Sequence, residues 1–176
     1  MTRADIAMCE QAGLPLAGIN NAYQITDKLK YLYACDSKWW LAHYPYAKAH
    51  WKYSLQKTPY FDVWQMENDG QLGLATEWPK IRTGQNSGYQ AINLAYLLGY
   101  TTIILLGYDM QPINGKLHWH EDHKNMNNPN KNNLQEWCSN FESIAQELES
   151  RGVTVLNASR QTALECFQRV TLEDVL

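Results

Sequence analysis

Residues Gly84 to His123 read GQNSGYQAINLAYLLGYTTIILLGYDMQPINGKLHWHEDH, and this stretch decides the fold. After Ser87, the apolar residues Tyr89, Ile92, Leu94, Ala95, Leu97 and Leu98 fall mostly three or four apart, the spacing of one buried helix face. Gly99 then stands where glycine closes a helix. Thr101 to Leu106 follows as an uncharged, β-branched and leucine-rich run, the composition of a central parallel strand covered on both faces. So short a connection between helix and strand is what a doubly wound unit requires. Ligands of open α/β sheets sit where strands end and helices begin. This segment supplies both edges of such a crevice: the turn Gly84 to Gly88 ahead of the helix, and Gly107-Tyr108-Asp109 after the strand.

The alternation continues in both directions. Thr2 to Ala12 reads as a short helix, with Thr2 as N-cap, Asp5 completing a capping box and Gly13 as its stop. Leu14 to Asn20 reads as a strand ending in Asn20-Asn21, Tyr23 to Lys28 as a helical turn, and Leu29 to Asp36 as a second strand that stops at a carboxylate. Residues 39–80 carry five tryptophans and suggest a short helix, a loop and one or two strands, with Phe61 to Met66 the best strand candidate. Asn125 to Asn133 is an asparagine-rich loop. Leu134, Trp137, Phe141, Ile144, Ala145 and Leu148 form one helical stripe over Leu134 to Glu149, stopped by Gly152. Val153 to Leu156 is the last strand, followed by Asn157-Ala158-Ser159. The fold class is therefore α/β with a mostly parallel sheet.

With 176 residues, 45% apolar and 12% aromatic, the chain is expected to be a single domain over 1–176 with a real core. A net charge of −3 gives no basic footprint, so no nucleic acid partner is expected. No apolar run approaches the length of a membrane span and the start lacks a signal-peptide pattern, so the expectation is a cytoplasmic protein with no membrane span. Cys9, Cys35, Cys138 and Cys166 are scattered without a CxxC pair and read as reduced thiols. A homo-oligomer is compatible with the composition.

Several polar residues converge on one rim in this reading. Asn20, Asn21, Asp36, Asp109, Asn157 and Ser159 all fall at carboxyl ends of strands, and Asn86, Ser87 and Gly88 open the helix after Gly84. A helix start carries partial positive charge and unpaired N–H donors, which suit a phosphate or carboxylate. Any one of these residues also ends a strand simply because Asn, Asp and Ser favour turns. As a set they predict a polar crevice for a nucleotide-like ligand.

The run NSGYQAINLAYLLGYTTIILLGYDM, with GINNAY, LYACDSKWW and VTVLNASRQTALECF, resembles the MptE-like and DUF115-type proteins, many of them from phages and prophages. Those in turn resemble the bacterial sialyltransferases of glycosyltransferase family 42. The resemblance spans nearly the whole chain and implies a Rossmann-like, three-layer α/β/α fold. It also implies group transfer from a nucleotide-activated donor: the sialyltransferases move sialic acid from a CMP donor without a metal, and MptE moves a diphosphate from ATP to a hydroxymethylpterin. It places Asn20, Asn86 and Ser87 against the nucleotide and matches Asp109 to the Asp of a Gly-Ile-Asp segment. Gln111 stands where the sialyltransferases keep a tyrosine that steadies the departing phosphate, and no residue here matches their catalytic histidine. The group opens with a strand and a G-x-G-P-S turn before the first helix. This chain opens at Met1-Thr2-Arg3-Ala4-Asp5, so the domain is expected without that strand and turn.

His118, His120, Asp122 and His123 spell H-x-H-x-D-H, the pattern with which metallo-β-lactamase-fold hydrolases hold two metals. No histidine follows His123 to complete such a site. His118, close to a phosphate-contacting position of the sialyltransferases, and His120 beside it are the candidate general acid or base residues. His43 and His50 read as packing or surface residues. The leading functional reading is a nucleotide or nucleotide-sugar binding domain of transferase ancestry that requires no cofactor. Its rivals are a non-catalytic phage accessory protein that binds a nucleotide or a protein partner, and a hydrolase holding a divalent metal on His118, His120, Asp122 and His123.

Overall fold

A computed structural model describes residues 1–112 and 131–176. The histidine segment with His118, His120, Asp122 and His123 lies outside the described residues, as does most of the asparagine-rich stretch.

Helix α1 (Arg3–Gln11) starts as its sequence predicts: Thr2 Oγ1 accepts from the Asp5 N–H at 3.3 Å and Asp5 Oδ2 accepts from the Thr2 N–H at 2.6 Å. Gly13, with φ +70°, turns the chain toward β1 (Ala17–Ile19). A 3-10 turn, Asn20–Gln24, then leads to β2 (Tyr31–Tyr33), α2 (Ser37–His43), β3 (Trp51–Ser54) and β4 (Val63–Gln65). These four strands make one parallel ladder in the order β1-β2-β3-β4. A short parallel pair, β5 (Glu67–Asn68) with β6 (Lys80–Ile81), precedes α3 (Ser87–Leu97). The third ladder is also parallel, in the order β7 (Thr102–Leu105), β8 (Thr154–Asn157), β9 (Gln168–Arg169), with α4 (Lys131–Ser150) crossing between β7 and β8. Mixed α/β architecture with parallel sheets is thus what the chain adopts.

The core joins these parts. Phe141 and Ile144 of α4 are fully buried against Tyr89 and Ile92 of α3 and Val155 of β8, and the Tyr89 and Phe141 rings lie 5.4 Å apart. Trp39 and Trp40, at 1% and 0% exposure, fill the space between α2 and the first ladder. Both indoles donate to a partner, Trp39 Nε1 to Asn21 Oδ1 at 2.8 Å and Trp40 Nε1 to the Ala34 carbonyl at 3.0 Å, as buried tryptophans require. Tyr33, Tyr53, Met66, Ile81 and Leu94 bridge the first ladder to α3. His43 stacks on Trp39 at 4.7 Å and shares a hydrogen bond with the Tyr23 hydroxyl, so it packs as its aromatic surroundings predict. Among the described residues no helix is long and apolar enough to cross a membrane, and the four cysteines are unbridged.

One expectation needs correction. The run Thr101 to Leu106 was expected at the centre of a sheet, yet β7 is the end strand of its ladder. Thr102 is exposed, Ile103 and Ile104 are half-buried, and only Leu105 is buried. One side of β7 bonds β8, and the other opens on a cleft whose far wall includes β1.

Candidate ligand site

The cleft is a cavity of about 1340 Å³ that runs along β1 and β7 and opens at their carboxyl ends. Typical small-molecule sites hold roughly 300–1,000 Å³, so a nucleotide would fill only part of it. The mouth is polar. One lip carries Asn20, just after β1, and Asp36, Ser37 and Lys38 where β2 passes into α2. The other carries Gln85, Asn86, Ser87 and Gly88 at the start of α3, and Tyr108, Asp109, Met110 and Gln111 after β7.

Asn86 is the N-cap of α3: its Oδ1 accepts from the Gly88 N–H at 2.7 Å and the Tyr89 N–H at 3.2 Å. Its oxygen is therefore committed to the cap, and Asn86 also lines the cavity. Gly88 is required by packing, because a Cβ there would lie 2.8 Å from Tyr108 Cε1 and 2.9 Å from Asn86 Oδ1. The Tyr108 hydroxyl donates to the Gly88 carbonyl at 3.1 Å, locking the strand end to the helix start.

Asp36 occupies the N-cap position of α2 but its side chain makes no capping bond. The pocket surroundings desolvate it and raise its pKa, with Lys38 pulling partly the other way. Burial likewise raises the pKa of Asp109, offset in part by the amino terminus of Met1. Two carboxylates suit the hydroxyls of a ribose or sugar, while Lys38 and the start of α3 supply the positive side.

Backbone strain gathers at the same mouth. Among the described residues, the only non-glycine residues with positive φ are Asn20 (+49°), Gln85 (+57°) and Met110 (+49°), and all three line this cavity. Such conformations cost energy and cluster at functional sites.

The structure thus brings together Asn20, Asp36, Asn86, Ser87, Gly88, Asp109 and Gln111. Asn21, Asn157 and Ser159 are not on the cavity wall and have structural partners. Asn21 holds Trp39, Asn157 Oδ1 accepts from the Ser159 N–H at 3.1 Å, and Ser159 Oγ accepts from the Tyr108 N–H at 2.8 Å. Asn157 is fully buried inside the β8–β9 connection. For Asn157, whose Oδ1 bonds the N–H two residues on, the turn-forming reading accounts for the residue type, whereas Asn21 and Ser159 make long-range contacts and Ser159 positions the site through Tyr108. Sequence reasoning passed over Lys38, Gln85, Tyr108 and Met110. Adjacency to Asp36, Ser87 and Asp109 was the available signal. The candidate His118 and His120 lie outside the described residues. Within those described, no three His, Cys, Asp or Glu side chains gather as metal ligands would.

Comparisons with protein-family models, with curated proteins and with solved structures find no match for this chain. The functional reading therefore stands on the geometry of the cavity mouth.

Proposed function

We propose that the chain is a Rossmann-like, three-layer domain that binds a nucleotide or nucleotide sugar at the carboxyl ends of β1 and β7, and that it descends from transferases acting on nucleotide-activated donors. The observation that carries this reading is the convergence of Asn20, Gln85 and Met110, all in strained backbone conformations, on one cavity mouth together with the N-terminus of α3. In this reading the phosphate sits at the Ser87 end of α3, where the Ser87 N–H and hydroxyl and the helix dipole meet an anion, the Gly88 and Tyr89 N–H groups being held by Asn86, with Lys38 on the opposite lip. Asp36 and Asp109 receive sugar hydroxyls. Where transfer occurs, preorganised donors around the phosphate supply the main stabilisation of the developing charge.

A thermal-shift titration with CMP, CDP, UDP, ADP, ATP and their sugar conjugates tests the reading. One nucleotide class is expected to raise the midpoint without added metal, since a ligand at about 100 times its Kd contributes about 2.7 kcal/mol. Ser87→Ala and Asp109→Ala should each weaken that shift, read against the variant's own unliganded midpoint. A shift that survives both substitutions, or none with any nucleotide, overturns the assignment.

A further inference from the structure

The apolar depth of the cleft calls for a second occupant. Below its polar mouth the cavity is walled by Ile6, Leu16, Leu29, Ile92, Leu98 and Ile104, and it runs the length of two strands. Those strands point the same way. Tyr31, which opens β2 in register with Ala17 of β1, meets Tyr100, just ahead of β7, through hydroxyls 3.0 Å apart. At the opposite end Asn20 and Asp109 share the mouth.

Among the described residues, the strands of both walls pair through alternate residues only. In a strand, the N–H and C=O of one residue point to the same side and successive residues alternate. The Leu16 carbonyl accepts from the Lys30 and Tyr31 N–H groups, so Leu16 and Gly18 face β2 while Ala17 and Ile19 face the cleft. The Thr101 and Leu105 carbonyls accept from the Thr154 and Ala158 N–H groups, so Thr101, Ile103 and Leu105 face β8 while Thr102, Ile104 and Leu106 face the cleft. Among the described residues, no strand pairs with β1 or β7 on that side. Two parallel edges bordering one apolar cleft form a template for strand addition.

We propose that the cleft is a socket for one apolar β-strand, parallel to β1 and β7 and bonded to both, and that this strand is joined to the chain at Met1. The exit side selects the source. A parallel strand leaves the cleft at the carboxyl ends, and Met1 is there: a Cβ on Gly107 would lie 3.4 Å from the Met1 Cβ. From that point α1 carries the chain back to the start of β1, which is the crossover that neighbouring parallel strands need. A lipid or other apolar small molecule would fill the volume but leave these amides and carbonyls unpaired. The inference does not depend on nucleotide binding.

The test is residue-resolved amide hydrogen exchange without nucleotide on the chain alone, on the chain with a free peptide of about six Val- and Ile-rich residues, on the chain with that peptide and a short Gly/Ser turn fused before Met1, and on the same fusion with two prolines in the added strand. The first fusion should slow exchange about tenfold or more at Ala17, Ile19, Thr102, Ile104 and Leu106. It should leave Gly18, Ile103 and Leu105, already bonded to β2 or β8, as internal references. The proline fusion should protect none of them. Equal protection by both fusions, uniform protection of β1 and β7, or no added protection overturns the socket. Protection by the free peptide without protection by the fused one overturns the assignment to Met1.

Discussion

The guanidinium of Arg160 donates to the carboxylate of Asp5 at 2.6 Å, so the loop after β8 holds the first turn of α1. Asp5 is 6% exposed and also completes the capping box with Thr2. Burial alone raises its pKa, but Thr2 and Arg160 outweigh it and hold the carboxyl below the ordinary value. A lowered native pKa means that the stabilisation is present above the unfolded value, near 3.9, and is lost as pH falls through the native one. Asp5→Asn should therefore cost about 1.5–3 kcal/mol at pH 7, with the gap to the parent chain closing toward pH 2. Urea denaturation across that range checks it.

Asp109 has the opposite sign. Its native pKa is raised by burial, so folding favours the neutral acid, and the cost of ionisation sets in as pH rises through the unfolded value. Asp109→Asn should raise the thermal midpoint at pH 7, with the gain vanishing below about pH 4. The same substitution should weaken nucleotide binding about tenfold, the loss expected for a charged hydrogen bond. Calorimetry and ligand titration read the two effects separately.

Gly88→Ala places a methyl group against Tyr108 and against the Asn86 cap. Both are held by their own hydrogen bonds, so the strain should cost about 1–3 kcal/mol. Equilibrium unfolding of the variant measures it, and Ala95→Gly on the half-buried side of the same helix, expected to cost about 1 kcal/mol, provides the comparison.

Asn93 has 0% exposure and clamps the segment before α3: its Oδ1 accepts from the Ala75 and Arg82 N–H groups, and its Nδ2 donates to the Ala75 carbonyl. Asn93→Leu would leave those backbone groups buried and unpaired. A loss of about 3 kcal/mol or more is expected, visible as a lower urea midpoint with unchanged slope.

The longer helices were legible because caps and periodicity are local signals, whereas the helical turn read at Tyr23 to Lys28 lies earlier, at Asn20–Gln24. The Thr2–Asp5 box, the Ser87 start and the Gly99 and Gly152 stops all stand where sequence reading puts them. The long apolar stripe also located α4, whose start falls only a few residues earlier than its first apolar residue. Strand extents were less legible. Leu14 to Asn20 and Leu29 to Asp36 shrink to Ala17–Ile19 and Tyr31–Tyr33, because pairing depends on the neighbour's register and not on composition alone. The β3 run Trp51–Ser54, with Trp51 exposed and Tyr53 buried, looks like part of an aromatic loop until its parallel partners are known. At the site, Asn20, Asp36, Asn86, Ser87 and Asp109 were readable as strand and helix ends. The burial of Asn21 and Asn157 was not, because their partners Trp39 and the Leu164 carbonyl are fixed only by packing.

The bonds around Tyr108 have a consequence for how tightly any ligand can be held. Its hydroxyl engages Gly88, its N–H engages Ser159, and its carbonyl accepts from Thr162 Oγ1 at 2.6 Å, so the start of α3 and the loop after β8 share this one residue as a keystone. The lip formed by α3 and the end of β7 is thereby set before a guest arrives. Its ordering is completed during folding, and association through this lip forfeits little conformational freedom.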